Sequence, residues 1–431
     1  MAETDATGLT LTGASAAAAG DFRAAVSAYH RYAGDPMRLL KAATADSPGF
    51  LMANVLKAYL TLYGANPIVA CMGHAALDAA RDLPGTAREL AHLAAAQAMA
   101  RGELKAAGRI LEDVAVAHPL DSVALQVGQL IDFLTGDSRM LRDRIGRALP
   151  SWTPDTPDYH AVLGMMAFGL EETGLYGRAE AMGREAIALE PRNGWARHAV
   201  AHVLEMQDRR ADGVAWMRGS IPEWTEGSFF AVHNWWHLSL FHLGLDETEA
   251  VLALYDGPIF GEPSGMAFDL DDAASLLWRL HLRGVDVSER WAVLADAFEA
   301  KGGWGDYAFD DFHAMAAFVG AGRTDAAREV MAAQAVALER PGDNALFVRA
   351  VGLPAMRALE AFGEGRHADA ADLLRPIRSQ THLFGGSHAQ RDVIDLTLIE
   401  AAERGGDAGL AGALRAERAM ARTRGFEATV A

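Results

Sequence analysis

Two pairs of histidines are the first residues in this sequence whose types and spacing can do chemistry. His198 and His202 stand four apart, with Glu205 three residues further on. On a helix that spacing places all three on one face. About one repeat later the segment His233-Asn234-Trp235-Trp236-His237 again carries two histidines four apart. Imidazoles at i and i+4 can chelate one ion, so His198, His202, His233 and His237 with a carboxylate form a candidate metal-binding set. The same groups can supply a general acid and a general base near neutral pH. Packed and hydrogen-bonded histidines account for the pattern too, and the order His-Glu-x-x-His of many zinc enzymes is not present. We therefore expect no resident cofactor. Catalytic roles are expected for His202 and His237, and ligand contacts from His198, Glu205 and His233.

Two further clusters lie towards the C-terminus. Trp304-Gly305-Asp306-Tyr307 is followed by Asp310, Asp311 and His313. Asp310 and His313 are one helical turn apart and could form the carboxylate–imidazole pair that orients a base, although an acid capping a helix start explains Asp310 as well. Further on, Gly385-Gly386-Ser387-His388 leads into Gln390, Arg391 and Asp392. Ser387 with Gln390 is a capping-box pattern opening a helix. A helix start with an Arg beside it is also a competent small-anion site, which points to His388 and Arg391. Six of the nine tryptophans fall between Trp152 and Trp236. Aromatic residues near ionisable groups are the lining of a small-molecule site, so Trp236 and Trp304 join the candidate ligand contacts, with Phe168 and Glu172 on the groove-facing positions of an earlier helix.

These residues must be positioned by helices. A Gly ending one apolar helix, followed five places later by a small residue inside the next, recurs as Gly20 with Ala25, Gly102 with Ala107, Gly174 with Ala179, Gly322 with Ala327 and Gly365 with Ala370. Gly supplies the left-handed residue that stops the first helix, and Ala lets the second pack closely against it. Pro119 and Pro191 each follow their Gly by 17 residues and stop the second helix. The unit from His160 to Asn193 is 34 residues long, the tetratricopeptide period, and a looser copy follows with Asp208 and Gly213 in the matching places. The fold expected is all-α, a tetratricopeptide-like α-solenoid of helical hairpins curled around a central groove or pocket. Its expected parts are N-terminal helical repeats over 1–150, central repeats over 151–255, a long loop over 256–275 rich in Gly, Pro and Asp, and C-terminal repeats with a capping helix over 276–431. Residues 150–158 read as a linker, and 380–387 as a break before a final helix.

The central segments resemble a known family, the tetratricopeptide repeat protein 38 family. The resemblance rests on HAVAHVLE at 198–205, HNWWHLSLFHL from His233, YDGPI at 255–259 and GGSHAQRDV at 385–393, and extends over nearly the whole chain. It implies an all-helical solenoid in the cytosol and makes the histidine segments a family feature. It supplies no catalytic roles.

Composition narrows the function. The net charge is −18, from 39 basic and 57 acidic residues, a field that repels phosphate backbones and anionic membranes. Neither nucleic acid nor membrane is an expected partner. The single cysteine excludes an intramolecular disulfide, and Met1 to Leu11 carries acids where a signal peptide carries bases, so a cytoplasmic protein is expected. Nucleophile-elbow, phosphate-loop and dinucleotide signatures are missing. The reading favoured is a small-molecule-binding protein with hydrolytic or lyase chemistry by His–carboxylate pairs. The alternative is a scaffold whose groove holds a peptide or partner protein, and its groove positions carry no basic clamp for an acidic tail. The Ala-rich stretch 400–422 can cap its own array or pair with a second chain, and a homodimer is the assembly expected.

Overall fold

The hairpins of this protein share one local rule. Gly102, Gly136, Gly174, Asp208, Asp246, Gly322, Gly365 and Gly406 all adopt positive φ. The residue five further on is buried each time: Ala107, Leu141, Ala179, Gly213, Val251, Ala327, Ala370 and Ala411. A left-handed residue frees the chain to reverse, and the small or apolar residue that follows lets the second helix seat against the first. Gly20 departs from the expectation. Ser15 caps a helix that begins at Ala16, its side chain accepting from the Ala18 amide at 3.1 Å, so Gly20 lies inside that helix rather than ending one.

The structure, a computed structural model, describes residues 3–63 and 67–422. In chain order the α-helices are α1 (Ala16–Arg31), α2 (Pro36–Asp46), α3 (Leu51–Leu62), α4 (Pro67–Ala80), α5 (Ala87–Ala100), α6 (Leu104–Ala117), α7 (Ser122–Leu134) and α8 (Ser138–Ala148). They continue as α9 (Tyr159–Glu171), α10 (Tyr176–Leu189), α11 (Gly194–Met206), α12 (Arg210–Arg218), α13 (Ile221–Thr225), α14 (Ala231–Gly244), α15 (Thr248–Leu254) and α16 (Ala267–Leu282). The last are α17 (Ser288–Lys301), α18 (Ala308–Gly320), α19 (Thr324–Ala337), α20 (Asn344–Phe347), α21 (Leu353–Gly363), α22 (His367–Leu374), α23 (His388–Arg404) and α24 (Ala408–Ala421). The fold is all-α, a succession of antiparallel hairpins of tetratricopeptide type, with α6 and α10 ending just before Pro119 and Pro191. Among the described residues no helix is long and apolar enough to cross a membrane.

The chain divides into two units. The first takes the chain up to Phe133, Asp137–Val200 and Ser220–Ala231; the second takes Leu134–Gly136, Ala201–Gly219 and the chain from Val232 on. The division therefore runs through α11 rather than at the proline-rich stretch near 150, which is a short 3₁₀ turn, Leu149–Ser151, followed by a loop. The long loop expected over 256–275 is much shorter. Tyr255–Ile259 is a π-turn, and α16 begins at Ala267, leaving only Phe260–Met266 non-helical. The acids read as loop residues belong to the opening turns of α16, where Ser264 fixes Asp269 by a 2.7 Å hydrogen bond. The break expected over 380–387 is likewise a 3₁₀ segment, Arg375–Phe384, and only Gly385 to Ser387 stay open before α23. That helix is followed by α24, so it is not the last.

In the first unit one side chain ties successive hairpins together. Asn193 accepts from the Ala196 amide at 2.9 Å, capping α11, and its amide donates to the His160 carbonyl at 3.1 Å on α9. Asn193 is fully buried. Asn193→Ala removes the cap and strands the carbonyl it served. The expected loss is about 1–3 kcal/mol in a urea titration; a loss below about 0.5 kcal/mol, the scale of a surface substitution, would show the cap to be ornamental.

In the second unit the first helices of successive hairpins pack side by side, α16 against α18 and α23, and α18 against α21. Trp236, Trp278 and Trp291 are fully enclosed there. Trp278 donates to Thr397 of α23 at 2.9 Å, and Trp236 to Ser275 of α16 at 2.9 Å, so two of these three indole nitrogens are matched across helices.

Candidate functional site

The opening turns of α14, α16, α18 and α23 carry the ionisable groups of the second unit. On α14, four-residue spacing puts His233 and His237 on one face, and their Nε2 atoms lie 3.2 Å apart. The Nδ1 atom of His233 meets both oxygens of Asp272 on α16, at 3.0 and 2.9 Å. His202, from the part of α11 in this unit, stacks at a tilt on His237 with ring centroids 4.5 Å apart. One nitrogen of each of His202, His233 and His237 lies within 4.8 Å of the others. These groups are buried, with no exposure at all for His202 and His237. Burial pushes His233 down to about 3. It holds His237 well below the ordinary range, and the neighbouring His233 and Arg279 add to the effect. His233 and His237 are therefore neutral, the form in which nitrogen binds a metal or takes a proton.

An aromatic shell fixes the rings. Trp236 stacks on His233 at 5.2 Å between centroids, and Phe268 packs at a tilt on the same ring at 4.6 Å. Trp236, read from the sequence as a ligand contact, is part of this shell. It is wholly enclosed, and its indole N–H donates to Ser275 at 2.9 Å. The histidines, too, are buried, and His233 is covered by Trp236 of the same helix and by Phe268 of α16.

The second group joins α16 to α18. Asp271 and Asp310, both buried, are hydrogen-bonded to each other. Burial raises both carboxyls; the Asp310 charge raises Asp271 further, while the hydrogen bond from Asp271 works against the rise of Asp310. Two carboxyls in contact cannot both ionise in a dry site, so the pair holds a proton. The Oδ1 atom of Asp271 has no hydrogen-bond partner and stands 4.0 Å from Nδ1 of His313. That nitrogen instead donates to the Phe309 carbonyl at 2.8 Å, which leaves Nε2 as the acceptor. The expected Asp310–His313 pair is thus replaced by an Asp271–Asp310 pair. The reason is local: an imidazole one turn into a helix can satisfy its own i−4 carbonyl, while Asp310 finds a partner on the neighbouring helix. Asp311 accepts from the Gly305 amide at 3.0 Å and Gln334 at 2.9 Å, and burial lifts it to about 7.

The third group opens α23. The capping box is formed, Ser387 accepting from the Gln390 amide at 3.3 Å and Gln390 from the Ser387 amide at 2.9 Å. The double glycine before it is required by close approach: both residues have positive φ, and a Cβ on Gly386 would meet the Phe309 ring at 2.4 Å. Arg391 donates to the Gly386 carbonyl. His388, Arg391 and Asp392 line a cavity of about 360 Å³ with Arg378, Arg418 and Arg422. Asp392 is largely shielded from solvent, yet Arg422 and then Arg418 hold it down at about 2 against that desolvation.

The other predicted residues have their own surroundings. Glu205 is paired with Arg422 at 2.6 Å. Trp304 stands beneath Lys301, 5.5 Å from its ammonium, and edge-on to Phe318. Phe168, Glu172 and His198 belong to the first unit, where the His198 ring packs among Phe168, Trp195 and Phe230. His198 precedes His202 by one turn of the same helix. Sequence reasoning missed Asp271, Asp272 and Arg279. Their signal was the helical pattern of Leu270, Ala273, Ala274, Leu277 and Trp278, hidden by the Gly- and Pro-rich residues just before it.

No protein-family model matches the chain. Comparison with solved structures returns a chain in the structure described as "Crystal Structure of Rap Protein Complexed with Competence and Sporulation Factor". The match has a TM-score of 0.42 and 10% sequence identity, covering 86% of this chain and 97% of that one. The site is therefore read from its own geometry.

Proposed function

We propose that the second unit binds a small molecule and acts on it by general acid–base chemistry of the hydrolytic or lyase class. The observation that carries this reading is the Asp271–Asp310 pair. Two buried carboxyls that share a proton, with one oxygen unpartnered and an imidazole 4.0 Å away, are a poor way to hold two helices together. Perturbed, proton-sharing groups of this kind collect at functional sites because catalysis needs a held proton near neutral pH. In this reading Asp310 and Asp271 give and take the proton, and His313 offers Nε2 as a second base. His388 and Arg391 orient an anionic group in the cavity at the start of α23. Arg391 connects the two places, since it lines that cavity and its charge also acts on Tyr307 beside the acid pair. His202 and His237 extend the proton-accepting set through His233 and Asp272. Membership of the tetratricopeptide repeat protein 38 family and a cytoplasmic location are part of the same proposal.

The helical-repeat architecture also favours a scaffold that binds a peptide or partner protein. A thermal-shift screen separates the two readings. Small carboxylates, esters, amides and lactones are tested on wild type, Asp310→Asn and Arg391→Gln. A small-molecule site predicts compounds that raise the wild-type midpoint and lose that effect in Asp310→Asn. No stabilising compound, or equal shifts in all three proteins, would overturn the reading in favour of the scaffold.

A further inference from the structure

His202, His233 and His237 have a geometry that the acid–base reading does not require. Two imidazole nitrogens facing each other can be explained by one hydrogen bond between them. A third buried imidazole converging on the same point, and a carboxylate placed behind the first, are not explained that way. The Nε2 atoms of His233 and His237 lie 3.2 Å apart. Two nitrogens bound to one tetrahedral zinc-class ion at the usual bond length stand about 3.3 Å apart. A nitrogen of His202 lies within 4.8 Å of both, close enough to complete three ligands by a small rotation of the ring. Behind His233, Asp272 takes its Nδ1 atom at 2.9 Å, which fixes the ring and leaves Nε2 pointing at the shared position. That is the carboxylate–histidine–metal arrangement in which an outer carboxylate orients the ligand and raises its basicity.

We propose that His202, His233 and His237 form a site for one divalent transition-metal ion of the zinc or cobalt class, with Asp272 as the positioning residue behind His233. Imidazole nitrogen suits these ions, and a set with no thiolate and no directly bound carboxylate discriminates against calcium and magnesium, which take oxygen ligands. Trp236 and Phe268 pack on the His233 ring and hold that donor in place.

The test uses full-length protein purified without a histidine tag, stripped with EDTA, and titrated with cobalt(II). Because the site is buried, the titration is repeated on protein refolded with the ion present. The expected result is one cobalt per chain with the visible bands of a tetrahedral imidazole site, displaced by zinc. His233→Ala and His237→Ala should abolish the bands, and Asp272→Asn should weaken uptake about 10- to 100-fold while keeping them. Absence of stoichiometric uptake in wild type, or uptake that survives the two histidine variants, would overturn the proposal. Should either variant fail to fold, X-ray absorption of the cobalt-loaded wild type decides instead. Three imidazole nitrogens support the site, and an oxygen-only shell refutes it. Metal uptake and the ligand screen are independent, so either reading can fail without the other.

Discussion

The double substitution Asp271→Asn, Asp310→Asn is expected to make the protein more stable than wild type at pH 8.5 and nearly equal to it at pH 4. Both carboxyls are raised in the folded state by burial and, for Asp271, by the partner acid; the Lys301 charge works in the opposite direction. Below the ordinary carboxyl range of about 4 the folded and unfolded chains both hold the protons, so nothing is gained or lost. Above it the unfolded chain releases them and the native pair keeps at least one. The native state then binds more protons than the unfolded state, and stability falls as pH rises. The slope is about 1.4 kcal/mol per pH unit for each proton held. Buried imidazoles oppose this at lower pH. His313, pushed down to about 3, stays neutral in the fold while its unfolded counterpart is charged, so its contribution grows with pH until about 6.5. The acids therefore act alone only above that point. Over the two units from pH 6.5 to 8.5 the variant is expected to gain up to about 3 kcal/mol on wild type. Asparagines of the same size can keep a hydrogen bond between the two helices. Urea titrations at several pH values would check this, and a variant less stable than wild type throughout would show that the pair is structural.

A second large effect is expected at Arg279. Its guanidinium is buried, donating to the Ser275 carbonyl at 3.0 Å on its own helix and to the Ala389 carbonyl at 2.7 Å on α23. It also lies over the Trp236 ring, 5.5 Å from the centroid. Burial lowers it to about 10, so it remains charged at neutral pH. It holds the opening turn of α23 to α16 and is one of the charges that keep Asp392 ionised. Removing one partner of a buried charged network costs about 3–5 kcal/mol, because the groups left behind are dry and unmatched. Arg279→Met should therefore lower stability by that amount in urea titration. Arg279→Lys should recover little, since an ammonium cannot reach two carbonyls on different helices with one planar fork. A loss under about 1 kcal/mol in Arg279→Met would show that water replaces the guanidinium.

Much of the fold was legible because it depends on neighbours in sequence. A left-handed Gly with a buried small residue five places on needs no knowledge of distant contacts, and the rule holds even where Asp208 or Asp246 replaces Gly. The capping box at Ser387 was legible for the same reason. Gly20 misled because Ser15 starts a helix before it. The convergence of His202, His233 and His237 was readable in outline, since four-residue spacing and a one-repeat separation bring first helices into register. Their burial was not, because it comes from Trp236 and from Phe268 on a helix that the sequence presented as loop. The acid pair was hidden twice over. Asp271 lay in that same stretch, and the i, i+3 spacing of Asp310 and His313 suggested a partnership that the Phe309 carbonyl pre-empts.

The central claim is that Asp271 and Asp310 share a proton at neutral pH. It is tested most directly by a carbon-13 NMR titration of aspartate carboxyls in wild type and Asp310→Asn. Wild type should show a carboxyl resonance still in the protonated position at pH 7.5, and that resonance should move or vanish in Asp310→Asn. If every aspartate of wild type titrates in the ordinary range near pH 4, the pair is not a held proton and the acid–base reading falls.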